Sequence, residues 1–191
     1  MKNKQYANRG QTLEQFIRFA NGRYRQNELA VITKQATEFI PIRDSHGKVC
    51  NVKVEHKATV DFLGRYKQYP IAIEAKNTSS DSIRFDAVQP HQAEYMDTFC
   101  SQPGTIGLVL VSFNLQKFYA IPWAFWGEAY DLRVRRQNKD TVRLHAFNEE
   151  WTIPNKKSAR IDEISPLWEV SGHDRTYGLH YLENAQKYII K

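Results

Sequence analysis

Residues 58–78, ATVDFLGRYKQYPIAIEAKNT, constrain the fold more tightly than any other stretch of the chain. Apolar and polar residues alternate on both sides of Lys67-Gln68, the pattern of two half-buried strands joined by a two-residue turn. Opposed residues in such a hairpin are counted outward from the turn, so Asp61 opposes Glu74 and Thr59 opposes Lys76. The period-two pleat then sets these four on one side of the sheet and Val60, Phe62, Ile71, Ile73 and Ala75 on the other. One parity packs into a core, and the other gathers polar groups.

That gathering has a chemical consequence. Directly opposed Cβ atoms lie about 5 Å apart, close enough for two carboxylates to share a cation and costly if both ionise without one. Oxygen donors from Asp61 and Glu74, helped by the Thr59 hydroxyl, suit Mg²⁺, which takes one or two carboxylates plus waters and phosphate oxygens. Lys76 beside them suits stabilisation of a pentacovalent phosphorus, so the chemistry that fits is phosphodiester hydrolysis. The bland alternative is an ion pair within a sheet. A second Glu-x-Lys, Glu55-His56-Lys57, fails the same geometry: opposing it to Asp44 needs a turn at Val49-Cys50, whereas the turn-forming residues are His46-Gly47.

The flanking sequence predicts an α/β sandwich with a mixed central sheet in the order α, β, β, β, α, β, β, α, forming one domain over residues 1–191. Thr12 with Gln15 reads as a capping box, and Leu13, Phe16, Ile17, Ala20 and Tyr24 recur at helical spacing, so a helix is expected over about 12–26. ELAVITK reads as a strand, and a further extended run is expected from Val49 through Asp61. With His46-Gly47 at its tip, residues 38–57 form a candidate protruding hairpin carrying Arg43, Lys48, Lys53 and Lys57. Pro90 opens a second helix, TIGLVLVSF and KFYAIPW are buried strands, AFWGEAYDLRVRRQN is a helix with a basic end, and the tail SGHDRTYGLHYLENAQKYIIK is expected to add a last helix.

A net charge of +6 fits a polyanionic partner. No apolar run of eighteen residues and no signal-peptide pattern is present, so the expected site of action is the cytoplasm, without a membrane partner. Cys50 and Cys100 are too few for a disulfide framework and lack zinc-site spacing. None of the six histidines has metal-ligand spacing, and His91 reads as structural.

An Asp followed thirteen positions later by Glu-Ala-Lys resembles the PD-(D/E)XK nuclease core, and its surroundings are similar to the RecU family of Holliday-junction resolvases. The similarity runs through NRGQTLE (8–14), AVITK (30–34), TVDFLGRYKQYPIAIEAKNT (59–78), HQAEYM (91–96), VLVSF and ARID (159–162). The resemblance implies a mixed sheet flanked by helices with a hairpin stalk, Mg²⁺ or Mn²⁺ held at Thr59, Asp61, Glu74 and Gln92, and Lys76 as the transition-state lysine. Glu14 matches an acidic position of related resolvases, or is simply a helix-start carboxylate. A homodimer cutting four-way DNA junctions is also implied, in a bacterial or phage-infected cytoplasm. There it would work beside a recombinase or branch-migration machinery, with the 38–57 hairpin entering the junction and Arg9, Arg43, Lys48 and Lys57 as phosphate contacts. The chain departs from the family in a shorter stalk, in Leu63 and Ala72 where polar residues are usual, in the absence of a basic N-terminal arm, and in a longer tail after Asp162. Two other readings remain at this point: a different PD-(D/E)XK nuclease of restriction or repair type, or a non-catalytic junction-binding accessory protein.

Overall fold

The computed structural model describes residues 2–36, 38–56 and 58–190, without the side chains of 2–11, 38–39 and 54–56. The chain runs α1 (Lys2–Gln26), β1 (Ala30–Lys34), β2 (Glu38–Arg43), β3 (Val49–His56), β4 (Phe62–Tyr66), β5 (Tyr69–Thr78), β6 (Ser82–Arg84), α2 (Pro90–Cys100), β7 (Ile106–Phe113), β8 (Lys117–Pro122) and α3 (Trp123–Tyr130). Four short strands follow, β9 (Val142–Ala146), β10 (Glu149–Ile153), β11 (Ser158–Arg160) and β12 (Glu169–Val170).

The central sheet has the order β1-β4-β5-β7-β8-β12, with β5 and β7 parallel and every other pair antiparallel. The β4–β5 hairpin turns at Lys67-Gln68, with Tyr66 opposite Tyr69 and Phe62 opposite Ile73. Parity along these strands sorts the two faces of the sheet. Ala30, Ile32, Phe62, Ile71 and Ile73 are buried on the face covered by α1, whose own buried stripe is Leu13, Ile17, Ala20 and Tyr24. The opposite face carries Ala72, Glu74, Gly107 and Val109, and a Cβ at Gly107 would meet Cys100, Trp123 and Met96, so α2 and α3 pack there. β7 and the Ile71–Glu74 segment of β5 are buried on both faces, and β7 accordingly is an unbroken apolar-rich strand. Gly64 is required by close approach: a Cβ there would lie 2.1 Å from the Val31 carbonyl oxygen and 2.6 Å from the Ile32 Cα.

Three expectations change. The first helix starts at Lys2, so Thr12 lies inside it rather than capping it; Lys, Gln and Ala upstream favour helix strongly enough to carry it past Gly10. The extended run does not reach Asp61, because β3 ends at His56 and residues 59–61 form a bend. No α-helix forms within residues 171–190. Gly178 takes φ +70°, Asp174 Oδ1 accepts from the backbone N–H groups of Thr176 and Tyr177, and only a 3-10 turn at Ala185–Tyr188 follows. The tail is instead a strap: Tyr24 donates to the Leu179 carbonyl, and Ile190 exchanges main-chain hydrogen bonds with Gly104 and Thr105.

β2 and β3 pair with each other as a separate two-stranded ribbon, and residues 40–53 are all exposed. Its tip is tied by Asp44, whose Oδ1 accepts from the backbone of His46 and Lys48. Strands β6 and β9–β12 carried too short an alternation to be read from sequence. β6 pairs with β11 from far along the chain, and β9 pairs with β10 about a Phe147-Asn148 turn whose residues both have positive φ.

Candidate active site

At Asp61 the hairpin forks. The regular β4–β5 ladder stops at Phe62–Ile73, and the Asp61 carbonyl accepts from Gln35 N–H, pulling the chain towards β1. Side chains then take over the rungs: Ala75 N–H donates to Asp61 Oδ2 at 2.9 Å, and Asp61 N–H donates to Glu74 Oε2 at 3.3 Å. Opposed carboxylates thus fill a notch in the sheet and satisfy backbone donors that would otherwise be orphaned.

Glu74 is completely buried. Burial, and secondarily the Asp61 carboxylate, pushes its pKa up to about 8, against the opposing pull of Lys76. Lys76 Nζ lies 2.6 Å from Glu74 Oε1, an ion-pair contact that lacks hydrogen-bond geometry and leaves that buried oxygen without a hydrogen bond. Lys76 Nζ also donates to Gln92 Oε1 at 3.2 Å. Leu63 and Ala72 are direct cross-strand partners beside the notch, on the same parity as Asp61 and Glu74. They make its floor apolar, which reinforces the desolvation of Glu74.

Gln92 sits at the third position of α2, where its Oε1 also accepts from Gln89 N–H at 2.9 Å in a capping box. The Gln89-Pro90-His91-Gln92 spacing held that signal, though the sequence offers no sign that the same oxygen reaches Lys76. Thr59 lies in the bend and is exposed, outside the ladder, so it does not oppose Lys76 in a strand pair. Glu14 forms an ion pair with Lys34, which stands over the Phe62 ring on the α1 face. Lys34 was missed by sequence reasoning, and only its place in AVITK pointed to it. Arg43 donates to Gly47 O at the ribbon tip, and Lys48 is exposed beside it. Lys57 and the Arg9 side chain lie outside the described residues.

The donor set fits a hard divalent cation. It is all oxygen and includes a buried carboxylate oxygen without a hydrogen bond. Asp61, Glu74, Lys76 and Gln92 converge as a unit, while Glu14 belongs to a neighbouring ion pair.

The family model for recombination protein U, RecU, matches residues 8–168. The chain belongs to the RecU family. Similar curated proteins include the Holliday junction resolvase RecU of Staphylococcus aureus strains MRSA252 and JH9, each 26% identical over 175 residues, covering 86% of this chain and 82% of the relative. The notch, the Lys76–Gln92 contact and the exposed ribbon all fall inside the RecU match, whereas the strap after residue 170 falls outside it.

Proposed function

We propose that this RecU-family protein is a Holliday-junction resolving endonuclease that hydrolyses phosphodiesters of four-way DNA junctions in homologous recombination and repair. The observation that carries the reading is the fully buried Glu74 opposed to Asp61 at the fork of the sheet, with Lys76 in contact. Asp61 and Glu74 would hold Mg²⁺ or Mn²⁺, with Gln92 and Thr59 at its margin. Such an ion supplies charge neutralisation at phosphorus and an acidified water.

The chain's own residues do the rest. Ala75 N–H fixes Asp61 Oδ2, so the other carboxylate oxygen is the one free to bind. Lys76, oriented by Gln92, presents its ammonium where negative charge grows on the phosphoryl oxygens. The apolar Leu63–Ala72 floor keeps bulk water from one side of the notch. A homodimer would supply two such sites for paired incisions on opposite strands, and the β2–β3 ribbon with Arg43 and Lys48 would enter the junction as a stalk. Recombinase or branch-migration partners and a cytoplasmic location follow the same reading; among the described residues no helix is long and apolar enough to cross a membrane.

The deciding experiment compares cleavage of a four-way junction and a sequence-matched duplex, with Mg²⁺, by wild type and Asp61→Asn. Junction-selective cutting by wild type, lost in the variant while junction binding persists, is expected. Equal rates on junction and duplex would remove the resolvase reading and leave a general endonuclease. Function intact in Asp61→Asn would leave only a binding protein.

A further inference from the structure

Helices cover the central sheet unequally. α1 packs over one face, whereas on the other face the main contacts of α2 and α3 among the described residues are with β5 and β7 and, for α3, also β8. On that second face β1 and β4 are bare: Val31 is 58% exposed, Thr33 and Arg65 are exposed, and Leu63 is half-buried, while their odd-even neighbours Ala30, Ile32, Phe62 and Tyr66 are buried. Register makes Val31 the partner of Arg65 and Thr33 the partner of Leu63, so the four form one contiguous patch. This patch shares its parity with Asp61, Glu74 and Lys76, and it begins at the catalytic notch.

Its far end is basic. Arg25, from the end of α1 at the sheet edge, Arg65 and Lys67 surround a depression with Val31; Lys67 Nζ also donates to Gln186 Oε1 and stands over the Tyr66 ring, and among the described residues Glu28 is the one acidic side chain lining it. A strand rise of about 3.3 Å per residue puts Arg65 about 13 Å from Asp61, the axial rise of about four base pairs. Small apolar and hydroxyl groups between two charged ends suit a sugar-phosphate backbone, since they permit close approach and leave charge contacts to the ends.

We propose that this bare face is the floor on which one duplex arm of the substrate lies, with Arg25, Arg65 and Lys67 holding the phosphates about four steps from the one cut at Asp61. The inference rests on the endonuclease reading and adds to it where the uncut part of the arm is held. α2 closes the opposite side of the notch through Gln92, so a strand reaching Lys76 has this side open to it. Occupation of the same face by a second copy of the chain is the competing arrangement, and it makes opposite demands on Val31.

The test measures binding of four-way junction and of duplex DNA by fluorescence anisotropy in EDTA, across a salt series, for wild type, Arg25→Gln/Arg65→Gln/Lys67→Gln and Val31→Lys. Three lost phosphate contacts are expected to lower the slope of log K against log salt by about 2.7 on both DNAs. The melting temperature and cation-induced stabilisation should stay unchanged. Val31→Lys is expected to tighten binding and leave the oligomeric state by sedimentation unaltered. An unchanged salt slope in the triple variant overturns the proposal even if junctions are still cut. Dissociation of the oligomer by Val31→Lys assigns the face to a second copy and overturns it too. If wild type cuts duplex as fast as junction, the resolvase reading falls while the slope on duplex still decides this one, and a wild type that binds neither DNA overturns both.

Discussion

Glu74 should set the pH dependence of stability in the cation-free protein. Its carboxyl has an ordinary pKa of 4.5 when exposed and about 8 in the fold, because burial and Asp61 disfavour the charge. Between those values the folded state holds a proton that the unfolded chain has released, so stability falls as pH rises. The slope is about 1.4 kcal/mol per pH unit, giving a cost of about 3 kcal/mol at pH 7 that levels off near 5 kcal/mol above pH 8. Glu74→Gln keeps the shape and removes the titration. In EDTA the variant should therefore be more stable than wild type by about 3 kcal/mol at pH 7, about 6–12 °C in melting temperature for a chain of this size, and by little at pH 5. Urea denaturation from pH 5 to 9 reads the effect directly. Mg²⁺ should recover the lost stability of wild type above pH 7 and do nothing for the variant. Parallel pH profiles for the two proteins, or a less stable Glu74→Gln at pH 8, would refute the argument that this carboxylate is held in a desolvated site.

Three further outcomes follow from the same geometry. Asp61→Ala should abolish metal-dependent cutting and cost about 1–3 kcal/mol in denaturant melts because Ala75 N–H loses its acceptor, whereas Asp61→Asn should lose the cutting and retain most of the stability. Gly64→Ala forces β1 away from β4, so about 1–3 kcal/mol of destabilisation is expected, with junction cleavage per folded molecule falling because Lys34 and Gln35 shift with β1; an unaffected melting curve would contradict the close approach. Replacing residues 41–52 with a two-residue turn, which keeps Ile40 opposite Lys53, should leave the melting temperature within a degree or two, since that segment is exposed throughout, and should reduce selectivity for four-way junctions over duplex in a competition assay.

The hairpin shows why some of this protein was legible without a structure. A two-residue turn propagates register outward by counting, so Lys67-Gln68 determines that Phe62 meets Ile73 and that Asp61 arrives beside Glu74. The prediction weakened at Thr59, where counting assumes that the ladder continues; the Asp61 side chain instead accepts from Ala75 N–H, and the strand bends away towards Gln35. The tail failed for a related reason. Leu, Tyr and Ala recur within residues 179–188 at a spacing open to helix, but the main-chain hydrogen bonds of Ile190 to Gly104 and Thr105 outweigh that weak local preference.

By itself, then, the sequence determined what depends on local counting: the alternation that makes β4 and β5, the parity that separates Phe62 and Ile73 from Asp61 and Glu74, the Pro90 start of α2, and a carboxylate pair suited to a divalent ion. Tertiary structure alone decided the contacts between segments remote in the chain. Gln92 reaches Lys76 only because α2 packs over β5, β6 finds β11 across more than seventy residues, and the face of β1 and β4 is bare only because α2 and α3 stop at their neighbours. Such placements come from summed burial across the whole core, a non-local quantity that no single window of sequence contains.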